Sequence, residues 1–120
     1  MKTHQHKYID LAYLQTISKG NRGFEHQMLT TFVEQSEVEM RRLKSAMMES
    51  DWNAVYQVAH KIKPSITFVG LHSILDKVEA LETTAKEHPD FNKIQQLVSE
   101  ISIVIELAIE EVKEELVPVE

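Results

Sequence analysis

Ala59-His60-Lys61-Ile62-Lys63-Pro64-Ser65-Ile66-Thr67-Phe68-Val69-Gly70 carries a helical pattern whose two sides differ in kind. Ala59, Ile62, Ile66 and Val69 recur at spacings of three and four, as the buried stripe of a helix does. At about 100° per residue His60 falls well off that stripe, and Lys63, one turn on, faces the same way. An exposed imidazole with a cation one turn away suits phosphate chemistry better than core packing. Thr67 and Leu71 are expected to continue this outer face. Pro64 lies on it too, and its missing N–H frees the carbonyl of His60 from the usual helical bond. A proline inside a helix costs about 3 kcal/mol or more, so a kink related to a site is expected here.

Outward from that stretch the chain reads as helix. Trp52 to about Val69 forms one helix with Val55, Ala59, Ile62, Ile66 and Val69 as its core face; Asp51 is its expected N-cap, and Trp52 anchors it in the core. The helix before it, about Phe24 to Glu49, carries Leu29, Val33, Ser36, Met40, Leu43 and Met47 at alternating spacings of four and three, widened by Phe32 and Ala46. The link Ser50-Asp51 is so short that these two helices must be antiparallel neighbours. Beyond Gly70, a helix over about His72–Glu87 buries Ile74 or Leu75, Val78, Leu81 and Ala85. His88-Pro89-Asp90 ends it and caps a last helix, Phe91 to about Glu115, with Phe91, Ile94, Val98, Ile101, Ile105, Ala108 and Val112 inward. A short helix capped by Asp10 carries Leu11, Leu14 and Ile17 and ends at Gly20-Asn21-Arg22-Gly23. The expected fold is all-α: an antiparallel up-down four-helix bundle with a short additional N-terminal helix. It forms one domain over 1–120, with an ordered core of about 10–115 and loose tails at 1–7 and 117–120.

Composition excludes several functions. The absence of cysteine removes disulfides, thiol catalysis and thiolate metal sites. A net charge of −6 opposes broad nucleic-acid binding, which needs a basic field. The most apolar run, Ile101 to Ile109, is nine residues long and contains Glu106, too short and polar to span a bilayer. With no signal-peptide pattern at the N-terminus, a cytoplasmic location is expected. No Glu has a His three residues later, as a di-metal bundle requires, and there is no phosphate-binding glycine loop. No metal site or cofactor is therefore expected. His60 remains, with two basic clusters: Lys61 and Lys63, and Arg41, Arg42 and Lys44. Arg41 and Arg42 precede the Ser50-Asp51 turn by about as many residues as His60 follows it, so they are expected at the same height along the bundle.

These residues resemble the histidine phosphotransfer (HPt) domains of two-component phosphorelays. That family's pattern is a histidine, an apolar residue two on, a lysine three on, usually a glycine four on, a small residue five on and a glycine ten on. Here these are His60, Ile62, Lys63, Pro64, Ser65 and Gly70, with Leu81-Glu82 following at the usual distance. Pro64 departs from the pattern. The resemblance implies a phosphoryl carrier: His60 takes a phosphoryl group from an aspartyl phosphate on a response-regulator receiver domain and relays it to another receiver. Lys63 neutralises the phosphoryl oxygens; Lys61, Pro64, Thr67, Arg41 and Arg42 meet the partner. Mg²⁺ is expected on the receiver only, a hybrid sensor histidine kinase is a further candidate partner, and a monomer is favoured. Two rivals stand beside this: an adaptor that docks signalling partners without transfer, and a self-associating bundle using Ile103, Leu107 and Ile109 on the last helix.

Overall fold

The computed structural model describes residues 6–116. All regular structure among them is helical: α1 (Ala12–Ser18), α2 (Arg22–Met48), α3 (Trp52–Phe68), a 3₁₀ turn (His72–Ile74), α4 (Leu75–Glu87) and α5 (Phe91–Leu116). α3 packs on α2 and α4, and α5 packs on the same two, so the four longer helices enclose one core; α1 lies on α2.

The apolar periodicities place that core. Every residue expected inside α2 is buried, as are Val55, Ala59, Ile62 and Ile66 of α3, Val69 just past its end and, in addition, Val58. α3 runs through Pro64 to Phe68 as one helix. Asp51 caps it as expected, its Oδ1 accepting from the Ala54 N–H at 3.1 Å. α2 starts earlier than expected, because the Asn21 side chain accepts from the Phe24 N–H at 2.9 Å and takes Arg22 and Gly23 into the helix.

Four burial assignments are corrected, two outward and two inward. Leu71 is fully buried and does not extend the outer face of His60. Gly70, at φ +66°, reverses the chain, so helical spacing no longer governs where Leu71 points. Phe91 is 40 % exposed at the head of α5, meeting Trp52 edge-on at 6.3 Å between ring centres. Ile17 is exposed while Leu14 is buried, since a seven-residue helix covers little area. Ile109 is buried and does not add to the outer surface of α5, whereas Ile103 and Leu107 are exposed.

α2 and α3 end in the same way. After α2, Asp51 N–H bonds Ala46 O and Ser50 N–H bonds Met47 O; after α3, Leu71 N–H bonds Ile66 O and Gly70 N–H bonds Thr67 O. Each is a Schellman turn with one residue in the left-handed region, Ser50 at φ +54° and Gly70 at φ +66°. Since serine is accommodated at the first, the left-handed backbone alone does not require glycine at the second. The approach of residues 6–10 does. Asp10 N–H bonds Val69 O at 2.9 Å, and a Cβ on Gly70 would lie 2.2 Å from Asp10 O.

This N-terminal strap is held along its length. Glu111 of α5 accepts backbone N–H groups from Lys7, Tyr8 and Ile9 at 2.7–3.0 Å. His6 Nε2 lies 2.7 Å from Glu115, and the Ile9 side chain enters the core. Of the tails expected to be loose, residues 1–5 and 117–120 lie outside the described residues. Burial opposes ionisation of Glu111 most strongly, but the three backbone donors and nearby His6 outweigh it and bring the carboxyl below its ordinary value.

Gly70→Ala is expected to cost about 2 kcal/mol or more in urea unfolding, from left-handed strain plus displacement of the strap. Exchange of the Asp10 amide should rise with it; an unchanged midpoint would show that the strap does not rest on Gly70. Because the folded-state pKa of Glu111 is lowered, its contribution is present above the ordinary carboxylate value and is lost as pH falls through the folded one. Acid should therefore deprotect the Lys7–Ile9 amides before the core opens, measured by hydrogen exchange.

Candidate functional site

His60 projects from the outer side of α3 with 64 % of its side chain exposed, while Ala59 beside it is fully buried. Its ring stacks on Tyr56, one turn earlier, at 6.0 Å between centres and 15° between planes. Lys86 of α4 lies over the other ring of this pair, 5.3 Å from the Tyr56 centre. His60 is thus held from the side yet open in front.

The partner that α4 supplies is Glu82. Its Oε2 lies 2.7 Å from His60 Nδ1, and its Oε1 accepts from Lys63 Nζ at 3.0 Å. Only 16 % of the Glu82 side chain is exposed. Burial is the largest single influence on Glu82 and opposes its charge, but hydrogen bonds from Lys63 and His60, with their charges, prevail, so its pKa is lowered. The hydrogen bond to Glu82 raises the Lys63 pKa, against partial desolvation. An ionised carboxylate can only accept. The proton at the contact therefore sits on Nδ1, which leaves Nε2 as the ring nitrogen with a free lone pair whenever the ring is neutral. Among the described residues Nε2 has no hydrogen-bond partner.

The other candidate residues divide between two surfaces. Pro64 and Thr67 are exposed beyond His60, and Thr67 Oγ1 donates to Lys63 O at 3.1 Å. Lys61 and Arg42 lie on the α2 side, where Lys61 Nζ and Arg42 Nη1 reach Glu39 Oε2 at 2.9 and 3.4 Å. A groove of about 720 Å³ between α2 and α3 is lined in part by Glu39, Arg42, Lys61 and His60. Arg41 is not brought there: it lines a separate groove between α2 and α5 with Lys44 and Lys113. No group of three or more His, Asp or Glu that could hold a metal ion occurs among the described residues.

Two site carboxylates escaped the sequence reading as contacts. Glu82 directly follows Leu81, a core residue of α4, so a place at the edge of the seam was its available signal. Glu39 had a clearer one. Phe32, Ser36, Glu39, Leu43 and Ala46 alternate at four and three, and this second stripe puts a carboxylate in the wall of the core.

A family model described as Hpt domain matches residues 27–115, and the chain belongs to that family. Its fold is similar to the crystal structure of histidine-containing phosphotransfer protein B (HptB) from Pseudomonas aeruginosa PAO1. The TM-score is 0.82 at 20 % identity, over 93 % of this chain and 96 % of the other, a likeness of fold. No curated protein sequence matches the chain. Among the described residues no helix is long and apolar enough to cross a membrane.

Two titrations check this geometry. The contribution of Glu82 is present above the ordinary carboxylate value and lost as pH falls through its lowered one; that of Lys63 is present below the ordinary lysine value and lost as pH rises through its raised one. The bridge should therefore persist across the neutral range, with the carbon-detected midpoint of Glu82 falling below 4.5. In Glu82→Gln, nitrogen NMR of His60 should show the population with the proton on Nδ1 falling toward that of a free histidine; an unaltered tautomer ratio would remove the orienting role of Glu82.

Proposed function

We propose, on the premise of that family membership, that this chain is a phosphoryl carrier in which His60 is the phosphoacceptor. Nε2 attacks phosphorus of an aspartyl phosphate on a response-regulator receiver domain. The N–P bond forms as the P–O bond to the partner's aspartate breaks, and the carboxylate leaves with the electron pair. The reverse step passes the group to a second receiver. A hybrid sensor histidine kinase is a further donor on this reading. Mg²⁺ belongs to the receiver and would neutralise phosphoryl oxygens there.

The observation that carries the reading is the Glu82 bridge. When Nε2 forms its bond to phosphorus, the ring keeps the Nδ1 proton and becomes cationic. Glu82, 2.7 Å away, is already in place to balance that charge. No proton has to leave the ring, so no general base is required. Lys63, one turn on and 31 % exposed, supplies a cation beside the incoming oxygens while tethered to the same carboxylate. Exposure of the face lets donor and acceptor use it in turn. The open surface over Pro64, Thr67, Lys61 and Arg42 surrounds His60 and is where we place the receiver. Arg41, on the α2–α5 side, belongs to its periphery. The short links at 49–51 and 88–90 support an up-down antiparallel course for α2 to α5, with α1 as the added helix.

Phosphoramidate, a small donor that phosphorylates histidine directly, separates the acceptor from any protein partner. The wild type should acquire one acid-labile, alkali-stable phosphoryl group, and His60→Ala none. Equal labelling of the two would sink the assignment, and labelling of neither would favour an adaptor. With a phosphorylated receiver as donor, Lys63→Ala is expected to slow transfer about tenfold or more, the worth of a charge-assisted hydrogen bond. Its circular dichroism should match that of the wild type, since Lys63 lies outside the core.

A further inference from the structure

The groove between α2 and α3 contains an unmet valence. Glu39 is 95 % buried by side chain, and its Oε2 takes both cations in reach, Lys61 and Arg42. Its Oε1 is buried and has no hydrogen-bond partner. A buried polar atom left unpaired is destabilising, so its presence in a groove wall points to a donor that arrives from outside.

The surroundings define that donor. The apolar lining is Ala46, Ala54 and Val58, a strip suited to an aliphatic stem. Glu49 and Asp51 stand at the end near the turn, so three carboxylates with Glu39 face two cations, Arg42 and Lys61. A long apolar stem ending in a cation with several donors fits both features, and guanidinium can span both oxygens of one carboxylate. The two cations paired with Glu39, Lys61 and Arg42, have side chains 56 % and 63 % exposed that can move by rotamer changes alone. His60 lines the same groove, so a protein seated on His60 also roofs it.

We propose that the α2–α3 groove is a recognition pocket for an arginine side chain of the partner protein that exchanges phosphoryl groups with His60, with Glu39 as its anchor. The arginine enters along Ala46, Ala54 and Val58 and pairs with the Glu39 carboxylate, displacing Lys61. The released lysine, next in sequence to His60, is then free to turn toward the phosphoryl group. The partner's identity as a phosphoryl exchanger rests on the proposed function; the pocket and its preference do not.

The test uses the full chain, labelled with nitrogen-15 and free of phosphate, titrated with acetyl-Gly-Arg-Gly-amide and with the same peptide carrying norleucine, which has the stem without the head. The arginine peptide should shift amides within 39–46 and 57–61 saturably; the norleucine peptide should bind about tenfold more weakly or worse. Glu39→Gln, close in shape, should lose the same factor. Equal binding of the two peptides, shifts outside the groove, or binding unaffected by Glu39→Gln would overturn the proposal. Spermidine or free guanidinium binding as well as the peptide would overturn the protein partner, leaving a small-cation site. Since no phosphate is present, failure of His60 to accept phosphoryl groups leaves this result standing. Conversely, an empty groove leaves phosphoramidate labelling of His60 untouched.

Discussion

α3 has to be buried on one side and open on the other, and the rest of the molecule is arranged around that division. Val55, Ala59, Ile62 and Ile66 leave almost no surface to water, so α3 is locked in rotation about its own axis. A turn of even one residue position would take apolar side chains out of the core, at roughly 1.5–3 kcal/mol for each fully exposed one. That penalty keeps His60 outward. α2 and α4 supply the walls, α5 closes the core from the far side, and Gly70 ends α3 where the N-terminal strap crosses it.

Locked rotation also brings α3 side chains within reach of carboxylates on both neighbours. On the α4 side Glu82 holds His60 and Lys63; on the α2 side Glu39 holds Lys61 and Arg42. The two arrangements are alike in plan and differ in completeness. Both oxygens of Glu82 are used, and its charge is secured despite burial. One oxygen of Glu39 is not used. A satisfied carboxylate suits a site that must keep one tautomer, since low dielectric strengthens the contact that orients the ring. An unsatisfied one is costly in the free protein and gains most when a partner completes it.

Pro64 fits this picture without a break in the helix. α3 continues to Phe68, and Pro64 is exposed on its outer side. The lost N–H leaves the carbonyl of His60 without its usual helical donor, on the side of α3 where His60 and Pro64 are both exposed. Thr67 follows with its hydroxyl turned back onto Lys63 O, so the turn around the proline keeps a hydrogen bond of its own.

Helix positions, core stripes, the cap at Asp51 and the outward stance of His60, Lys63, Pro64 and Thr67 were legible in the sequence. Each follows from spacing within one helix, and helical geometry is the same wherever the helix sits. The reading failed at Leu71, where Gly70 ends the periodicity on which it relied, and at Phe91, which sits at a helix start where coverage depends on the neighbouring end. The partners of His60, Lys61 and Lys63 were decided by tertiary structure alone. Glu82 meets His60 across 22 residues, Glu39 meets Lys61 across 22, and Glu111 gathers the strap across more than 100. Such pairs depend on the rotation and height of one helix against another. Those are set by how whole apolar faces interlock, which no local pattern records.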